Sequence, residues 1–106
     1  FEGPEIKTKA TVGGEKEVEP LETITLTDTV TYRNLIPGKT YQVKGVLMDK
    51  GTGSKLLVDG KEVTAEAIFI PEKPTGTVEM TFTLPASTLA GKTIVVFESV
   101  YLRAKR

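Results

Sequence analysis

Residues 22–33, which read E-T-I-T-L-T-D-T-V-T-Y-R, decide the fold of this chain. They alternate with a period of two, the pattern of a β-strand that has one buried face and one solvated face. Ile24, Leu26, Val30 and Tyr32 fall on one face. The other face carries five threonines, at positions 23, 25, 27, 29 and 31, and the β-branched side chain of threonine suits a pleated, half-solvated surface. The segment therefore predicts a strand whose apolar row faces a core.

Similar alternating rows lie on both sides of this strand, and turn residues separate them. The predicted rows are an opening strand over about residues 5–11, then Tyr41–Val43–Gly45–Leu47, Val63–Ala65–Ala67–Phe69 and Val78–Met80–Phe82–Leu84. Residues 93–101 are apolar on both faces, which predicts a central strand covered on both sides. About seven strands and no long helix predict an all-β fold, an immunoglobulin-like β-sandwich. We expect residues 1–106 to form a single domain.

Composition excludes several classes of function. Fourteen basic and fourteen acidic residues cancel, so no basic surface for nucleic acid is expected. Histidine and cysteine are both absent, which removes the usual ligands of a metal site and the base of a Ser-His-Asp triad. We therefore expect no cofactor. No apolar run approaches the roughly 18 residues of a membrane span, so no membrane insertion is expected.

Three polar residues occupy positions that the alternation reserves for the core. Asp28 lies in the row of Leu26 and Val30, where its neighbours are apolar. Glu98 lies in a strand whose two faces are both apolar. Thr8 falls on the inward face of the opening strand. These three residues are the candidates for a functional site.

The residue types suggest a specific chemistry. A buried carboxylate costs several kcal/mol unless it is paired or protonated, and two neighbouring carboxyls share one proton. Such a pair can relay a proton without histidine, and a threonine hydroxyl beside it can act as a nucleophile. A structural interpretation is also open: an inward threonine is often a satisfied core hydroxyl, and an inward aspartate often caps a loop.

Three motifs resemble those of a known family. Residues 28–41 (D-T-V-T-Y-R-N-L-I-P-G-K-T-Y), 45–53 (G-V-L-M-D-K-G-T-G) and 95–101 (V-V-F-E-S-V-Y) are similar to the signatures of Ig-like repeats in Gram-positive surface adhesins. These repeats are the VaFE-type, or Thr–Gln ester-bond, domains. The likeness extends from Pro4 to Tyr101, and the motifs occur in the family's order.

The resemblance implies a structural stalk module with an intramolecular ester cross-link. In that family a first-strand threonine attacks a glutamine side chain of the last strand and expels ammonia, assisted by buried acids and a histidine. Thr8 matches the nucleophile, with Thr11 as the alternative, and Asp28 and Glu98 match the acids. Such a domain modifies itself once and is not an enzyme. The resemblance also implies an extracellular, cell-wall-anchored protein, in which the partners of this domain are the neighbouring domains of the stalk.

The chain departs from the family in one respect. The family's histidine and glutamine follow the strand that contains Glu98, whereas this chain has no histidine and its only glutamine is Gln42 in an early strand. We therefore expect the final strand to be missing, and a complementary C-terminal strand or peptide carrying histidine and glutamine to complete the domain. A truncated or split form usable for peptide ligation and a natural domain without the cross-link both remain open.

Other functions fit the sequence less well. A Lys–Asn isopeptide bond would need Lys7 or Lys9, which alternate outward, and Asn34, which lies in a turn. A ligand-binding adhesin module would be expected to show an exposed aromatic platform or a calcium loop, and neither is present. A plain Ig-like spacer without a cross-link is the remaining alternative.

Overall fold

The computed structural model describes residues 3–12 and 23–103, with the backbone alone for residues 9–12. These residues form an all-β domain of six long strands, three two-residue strands and one turn of 3-10 helix. The strands are β1 (Glu5–Val12), β2 (Thr23–Arg33), β3 (Tyr41–Asp49), β4 (Ser54–Lys55), β5 (Leu57–Val58), β6 (Lys61–Glu62), β7 (Thr64–Phe69), β8 (Gly76–Pro85) and β9 (Ile94–Leu102), and the 3-10 helix is Ala86–Leu89.

Two antiparallel sheets make up the sandwich. In the first sheet the strand order is β1-β2-β8. In the second sheet β3 is central: β9 pairs along the whole of β3, while β7 and β4 pair with its first and last parts. A strand has two edges, so β7 and β4 share one edge of β3 and β9 takes the other. β5 and β6 form a separate hairpin around Asp59 and Gly60, both in the left-handed region that a tight hairpin turn requires.

The core lies between the two sheets and follows the predicted inward rows. Leu26, Val30, Phe82 and other residues of the first sheet pack against the second sheet. Val30, Val43 and Leu47 are fully buried, at 0 % exposure. Burying each such side chain stabilises the fold by about 1.5–3 kcal/mol, which makes these rows the main source of its stability. The immunoglobulin-like sandwich predicted from the alternation is confirmed.

The turn between β2 and β3 closes one end of the sandwich. Leu35 is buried, and its backbone N–H donates to the carbonyl of Pro74, 3.1 Å away. The Ile36 N–H donates to the hydroxyl of Tyr41 at 2.9 Å. Gly38 has a φ of 84°, which an L side chain rarely adopts. The turn predicted from Pro37 and Gly38 is therefore held by specific hydrogen bonds.

The expectation for the last predicted strand was wrong. Within the described residues β9 pairs with β3 alone, so it is an edge strand and not a central one. Its outward face is uncovered, since Phe97 is 60 % and Tyr101 50 % exposed. Apolar residues on both faces of a strand do not by themselves show that another layer covers each face. In the described ranges no helix has the length and apolar character to cross a membrane.

The packing predicts which leucines stabilise the domain. Leu47 is fully buried in the core, whereas Leu57 is 54 % exposed in the hairpin. We expect Leu47→Ala to lower the free energy of unfolding by about 2–5 kcal/mol, because it removes buried methyl groups and leaves a cavity. The matched control Leu57→Ala should change it by less than about 1 kcal/mol. Urea unfolding measures both values, and equal losses would contradict the packing described here.

Candidate functional site

The pairing of β1 with β2 decides which face Thr8 lies on. Residues directly opposite in an antiparallel pair share a face of the sheet. Thr8 is opposite Val30, which is fully buried, so Thr8 lies in the inward row. Thr11 is opposite Thr27, a member of the outward threonine row. Of the two nucleophile candidates, the register therefore favours Thr8.

Asp28 and Glu98 meet between the two sheets. Asp28 lies in the middle of β2 at 0 % exposure. Glu98 lies on β9 opposite Gly45 of β3, in the inward row of the second sheet. Glu98 as a whole is half-buried, yet both of its carboxyl oxygens are inaccessible to solvent. The two carboxyls are within hydrogen-bond reach across the core.

This carboxyl pair receives no hydrogen bond from elsewhere in the described part of the chain. All four oxygens are buried, and no backbone N–H or other side-chain donor contacts them. Carboxylates are acceptors only, so a hydrogen bond between the two groups requires one of them to carry a proton. The pair is therefore satisfied only in its half-protonated form.

The electrostatics assign that proton to Glu98. Burial is the largest cause that raises the pKa of Glu98, to about 9 from an ordinary value of 4.5. The hydrogen bond to Asp28 and the negative charge of Asp28 raise this pKa further. Each cause disfavours the charged form, either by removing water or by adding a like charge. At neutral pH the Glu98 carboxyl is a hydrogen-bond donor.

A cavity of about 870 Å³ opens beside this pair. Ile6 and Thr8 of β1 line it together with Val96 and Glu98 of β9, and it extends past Gly45. Thr8 is exposed, and no hydrogen bond joins it to either carboxyl. The structure thus brings Asp28 and Glu98 together and places Thr8 on the wall of the space into which Glu98 faces.

Two sheet edges border the cavity. Among the described strands, β1 pairs with β2 alone and β9 pairs with β3 alone, while β1 and β9 lie against each other at the side of the sandwich. Each edge leaves backbone N–H and C=O groups without a strand partner. The free edge of β1 or of β9 can therefore accept another extended segment.

The alternative cross-linking residues are not brought together. Lys7 is exposed and lies opposite Thr31 in the outward row, and Lys9 is paired with Thr29 in the same register. The Asn34 side chain donates to the carbonyl of Gly3 at 3.1 Å, in the turn after β2. The structure gives no support to a Lys–Asn isopeptide bond.

Gln42 is also far from the candidate nucleophile. It alternates with the inward residues of β3, and its Nε2 donates to Glu66 Oε2 at 3.0 Å on the outward face. Thr8 lies on the inward face of the other sheet, so Gln42 cannot reach it. No group of three or more acidic, histidine or cysteine side chains suited to a metal ion occurs in residues 3–12 and 23–103.

Sequence reasoning missed one residue of the site. Gly45 was assigned to an inward row without a role, but the structure pairs it with Glu98 and places it on the cavity wall. A glycine in the interior of a strand is a signal for a close approach of other groups. That signal was present in the alternating row.

Comparison with solved structures shows the same fold in a bacterial adhesin from Mobiluncus mulieris. Two structures of it, in space groups P21 and P1, are described as containing intramolecular disulfide, isopeptide and ester bond cross-links. Their TM-scores are 0.72 and 0.73 at 22 % sequence identity, over 95 % of this chain. The chain spans 44 % and 45 % of those adhesin chains. No curated protein sequence gives a significant match.

A family model matches nearly the whole chain. The match covers residues 4–106 and describes a T-Q ester bond containing domain. It includes Thr8, Asp28 and Glu98, the three residues that the alternation singled out, and it agrees with the fold shared with the adhesin. This chain belongs to the family of T-Q ester bond containing domains.

Proposed function

We propose that this domain is a structural stalk module of a bacterial cell-surface adhesin, cross-linked by a self-generated ester between Thr8 and a glutamine. The observation that carries the proposal is the buried Asp28–Glu98 pair beside the cavity that Thr8 lines. A plain spacer would gain nothing from this pair, because two buried carboxyls cost more than an apolar core.

Family membership and fold support the adhesin setting. The family is named for the Thr–Gln ester, and the Mobiluncus mulieris protein of the same fold is an adhesin with an ester cross-link. By analogy, this domain belongs to an extracellular, cell-wall-anchored protein, with neighbouring domains of the stalk as partners. The chain has no cysteine, so a disulfide is not available to tie its strands.

The reaction follows from the groups at the site. Thr8 Oγ1 attacks the side-chain amide carbon of the glutamine and loses its proton, and a C–O bond forms. The C–N bond then breaks, and the nitrogen leaves as ammonia after taking up that proton. Before the glutamine enters, Asp28 accepts the single O–H of the protonated Glu98 and holds that carboxyl in place. When the amide enters, this O–H turns from Asp28 to the amide oxygen, where negative charge develops. The carboxyl pair then relays the Thr8 proton to the leaving nitrogen.

The glutamine comes from a segment that is not among these residues. Gln42 is the only glutamine of the chain, and it faces away from Thr8. An extended segment added between the free edges of β1 and β9 would bring a side-chain amide into the cavity. The family resemblance assigns a histidine and a Gln-Thr sequence to that segment.

The cross-link explains a mechanical role. An ester between the first strand and a segment beside β9 would join the parts of the sandwich that a pull on the two termini separates. Tension would then load a covalent bond instead of the hydrogen bonds between strands. The domain turns over once, during its own maturation, and acts on no free substrate.

A ligation experiment tests this proposal. A synthetic peptide of the form His-x-Asp followed by Gln-Thr is mixed with the chain, and the products are separated on a denaturing gel and weighed. We expect a covalent adduct about 17 Da lighter than the sum of its parts, since ammonia leaves when the ester forms. Thr8→Ala should abolish the adduct. Thr11→Ala is the matched control and should leave it unchanged.

Further variants test the acids. Asp28→Asn and Glu98→Gln keep the shape of each side chain but remove the shared proton, so each should slow adduct formation by at least about 100-fold. An adduct that persists in Thr8→Ala and is lost in Thr11→Ala would move the nucleophile to Thr11. The absence of an adduct with any such peptide would leave a spacer without a cross-link.

The raised pKa of Glu98 predicts how stability depends on pH. Between pH 4.5 and about 9 the unfolded chain releases the Glu98 proton and the folded chain keeps it. The contribution of protonated Glu98 to the free energy of unfolding is therefore complete below pH 4.5 and is lost as the pH rises through about 9. We expect the urea midpoint of the wild type to fall across this window, and the midpoint of Glu98→Gln to fall less.

A second carboxylate serves as the control for this measurement. Glu79→Gln changes an exposed residue of β8. In this variant the urea midpoint should fall with pH as steeply as in the wild type. If the urea midpoints of the wild type and Glu98→Gln fell equally with pH, the pKa of Glu98 would not be raised in the folded chain, and the prediction would be wrong.

A further inference from the structure

Gly45 lies where side chains of the two sheets meet beside Glu98. A Cβ atom at position 45 would be 2.9 Å from Cε of Met80 and 3.0 Å from Cζ of Phe82. It would also be 3.5 Å from Cγ of Glu98. Three side chains therefore converge on the space that the glycine leaves, and two of them come from the opposite sheet.

The strand register explains this convergence. In the second sheet Gly45 is paired with Glu98 on one side and with Ala65 on the other. In the first sheet Asp28 is paired with Met80. The layer that contains the carboxyl pair thus has small residues in β3 and β7. Cε of Met80 and Cγ of Glu98 both lie within 3.5 Å of the point where a Cβ of Gly45 would stand.

We propose that Gly45 and Met80 are positioning residues for the ester-forming reaction: the missing side chain at Gly45 lets Met80 cover Glu98 and hold its carboxyl against Asp28. This inference rests on the proposed function. Neither residue touches the reacting atoms, since both act through Glu98.

Steric limits give the proposal its physical basis. Met80 is 2 % and Phe82 1 % exposed, so both side chains are packed on all sides. Interiors are packed to crystal-like density, and an added methyl group forces neighbours to shift. A methyl group at position 45 would come too close to Cε of Met80, the flexible end of that side chain, while the stem of Glu98 would stay in ordinary contact at 3.5 Å. Met80 would therefore shift out of this layer, and Glu98 would lose the cover that holds it against Asp28.

No other charged side chain replaces Asp28 as the partner of Glu98 in the described residues. Lys44, Glu62 and Glu66 line the outer part of the cavity, on the outward side of β3 and around β7. Lys44 lies over the ring of Tyr101, 5.6 Å from its centroid, and Lys55 pairs with Glu62. A Glu98 carboxyl that leaves Asp28 would therefore be solvated by water in the cavity.

The test compares Gly45→Ala, Met80→Leu and the double variant with the wild type. Two quantities are measured: the rate of adduct formation with the His-x-Asp, Gln-Thr peptide, and the pKa of Glu98 by NMR of the labelled side-chain carboxyl carbon. Leu84→Ala is the control, because Leu84 is buried but lies four residues along β8 from Met80. It should lower stability without moving the Glu98 pKa.

We expect Gly45→Ala to slow adduct formation at pH 7 by about tenfold or more, since small displacements of a catalytic group cost large factors in rate. The Glu98 pKa should fall from about 9 toward 4.5. Met80→Leu removes the atom closest to the new methyl group, so it should restore much of both quantities in the double variant while having a small effect alone.

Several outcomes would overturn the inference. They are an unchanged rate and pKa in Gly45→Ala, a slowed rate with an unchanged pKa, or a double variant as defective as Gly45→Ala. If Gly45→Ala does not fold, Met80→Ala uncovers Glu98 without adding atoms, and an unchanged pKa there is equally decisive. If the wild type forms no adduct, the proposed function fails, and the NMR titration alone still decides the positioning role.

Discussion

The hydrogen bond between the Asp28 and Glu98 carboxyls is the interaction on which the rest of this structure depends. Moving two ionised carboxylates from water into a protein interior costs several kcal/mol for each ion. Here no backbone donor or basic side chain of the described residues offsets that cost. A single proton shared by the pair removes one charge and supplies one hydrogen bond. Burial and the neighbouring Asp28 raise the pKa of Glu98 to about 9, so at neutral pH the pair carries one negative charge instead of two.

The pair also limits how the two sheets can pack. Asp28 projects from β2 and Glu98 from β9, so the sheets must be close enough at this layer for the carboxyls to meet. Gly45 and Ala65 provide that closeness by leaving out side-chain volume in the second sheet. The result is a local exception to an apolar core, surrounded by fully buried residues such as Val30 and Val43.

The position of the pair beside an open side of the sandwich connects stability with the proposed function. The cavity that Thr8 lines is open to solvent, while the carboxyl oxygens stay out of water. A nucleophile that is weak in solution needs a site where the reacting groups are held in place. In the proposed reaction the added strand would cover this site and exclude water from it. The buried Asp28–Glu98 pair, which destabilises the fold, is thus the feature that the proposed ester chemistry uses. In a chain without cysteine, the proposed ester would supply the covalent tie that a disulfide cannot give.

The amino-acid sequence was enough to predict the faces of the strands and to indicate the family. The strict alternation of residues 22–33 placed Asp28 among buried residues, and the motifs around Asp28, Gly45 and Glu98 indicated the Thr–Gln ester domains, to which a family model assigns the chain. How those faces meet became known from the fold alone. Alternation is a local property that says which residues share a face, but not which strands pair or which residues oppose each other across the core. Alternation puts Thr8 and Thr11 on opposite faces of β1, and the register with β2 showed that the face of Thr8 is the one opposite buried Val30. Strand order made β9 an exposed edge rather than a covered strand. The contact of Glu98 with Asp28 arises between two sheets, 70 residues apart in the chain, where no periodicity of either strand can specify it.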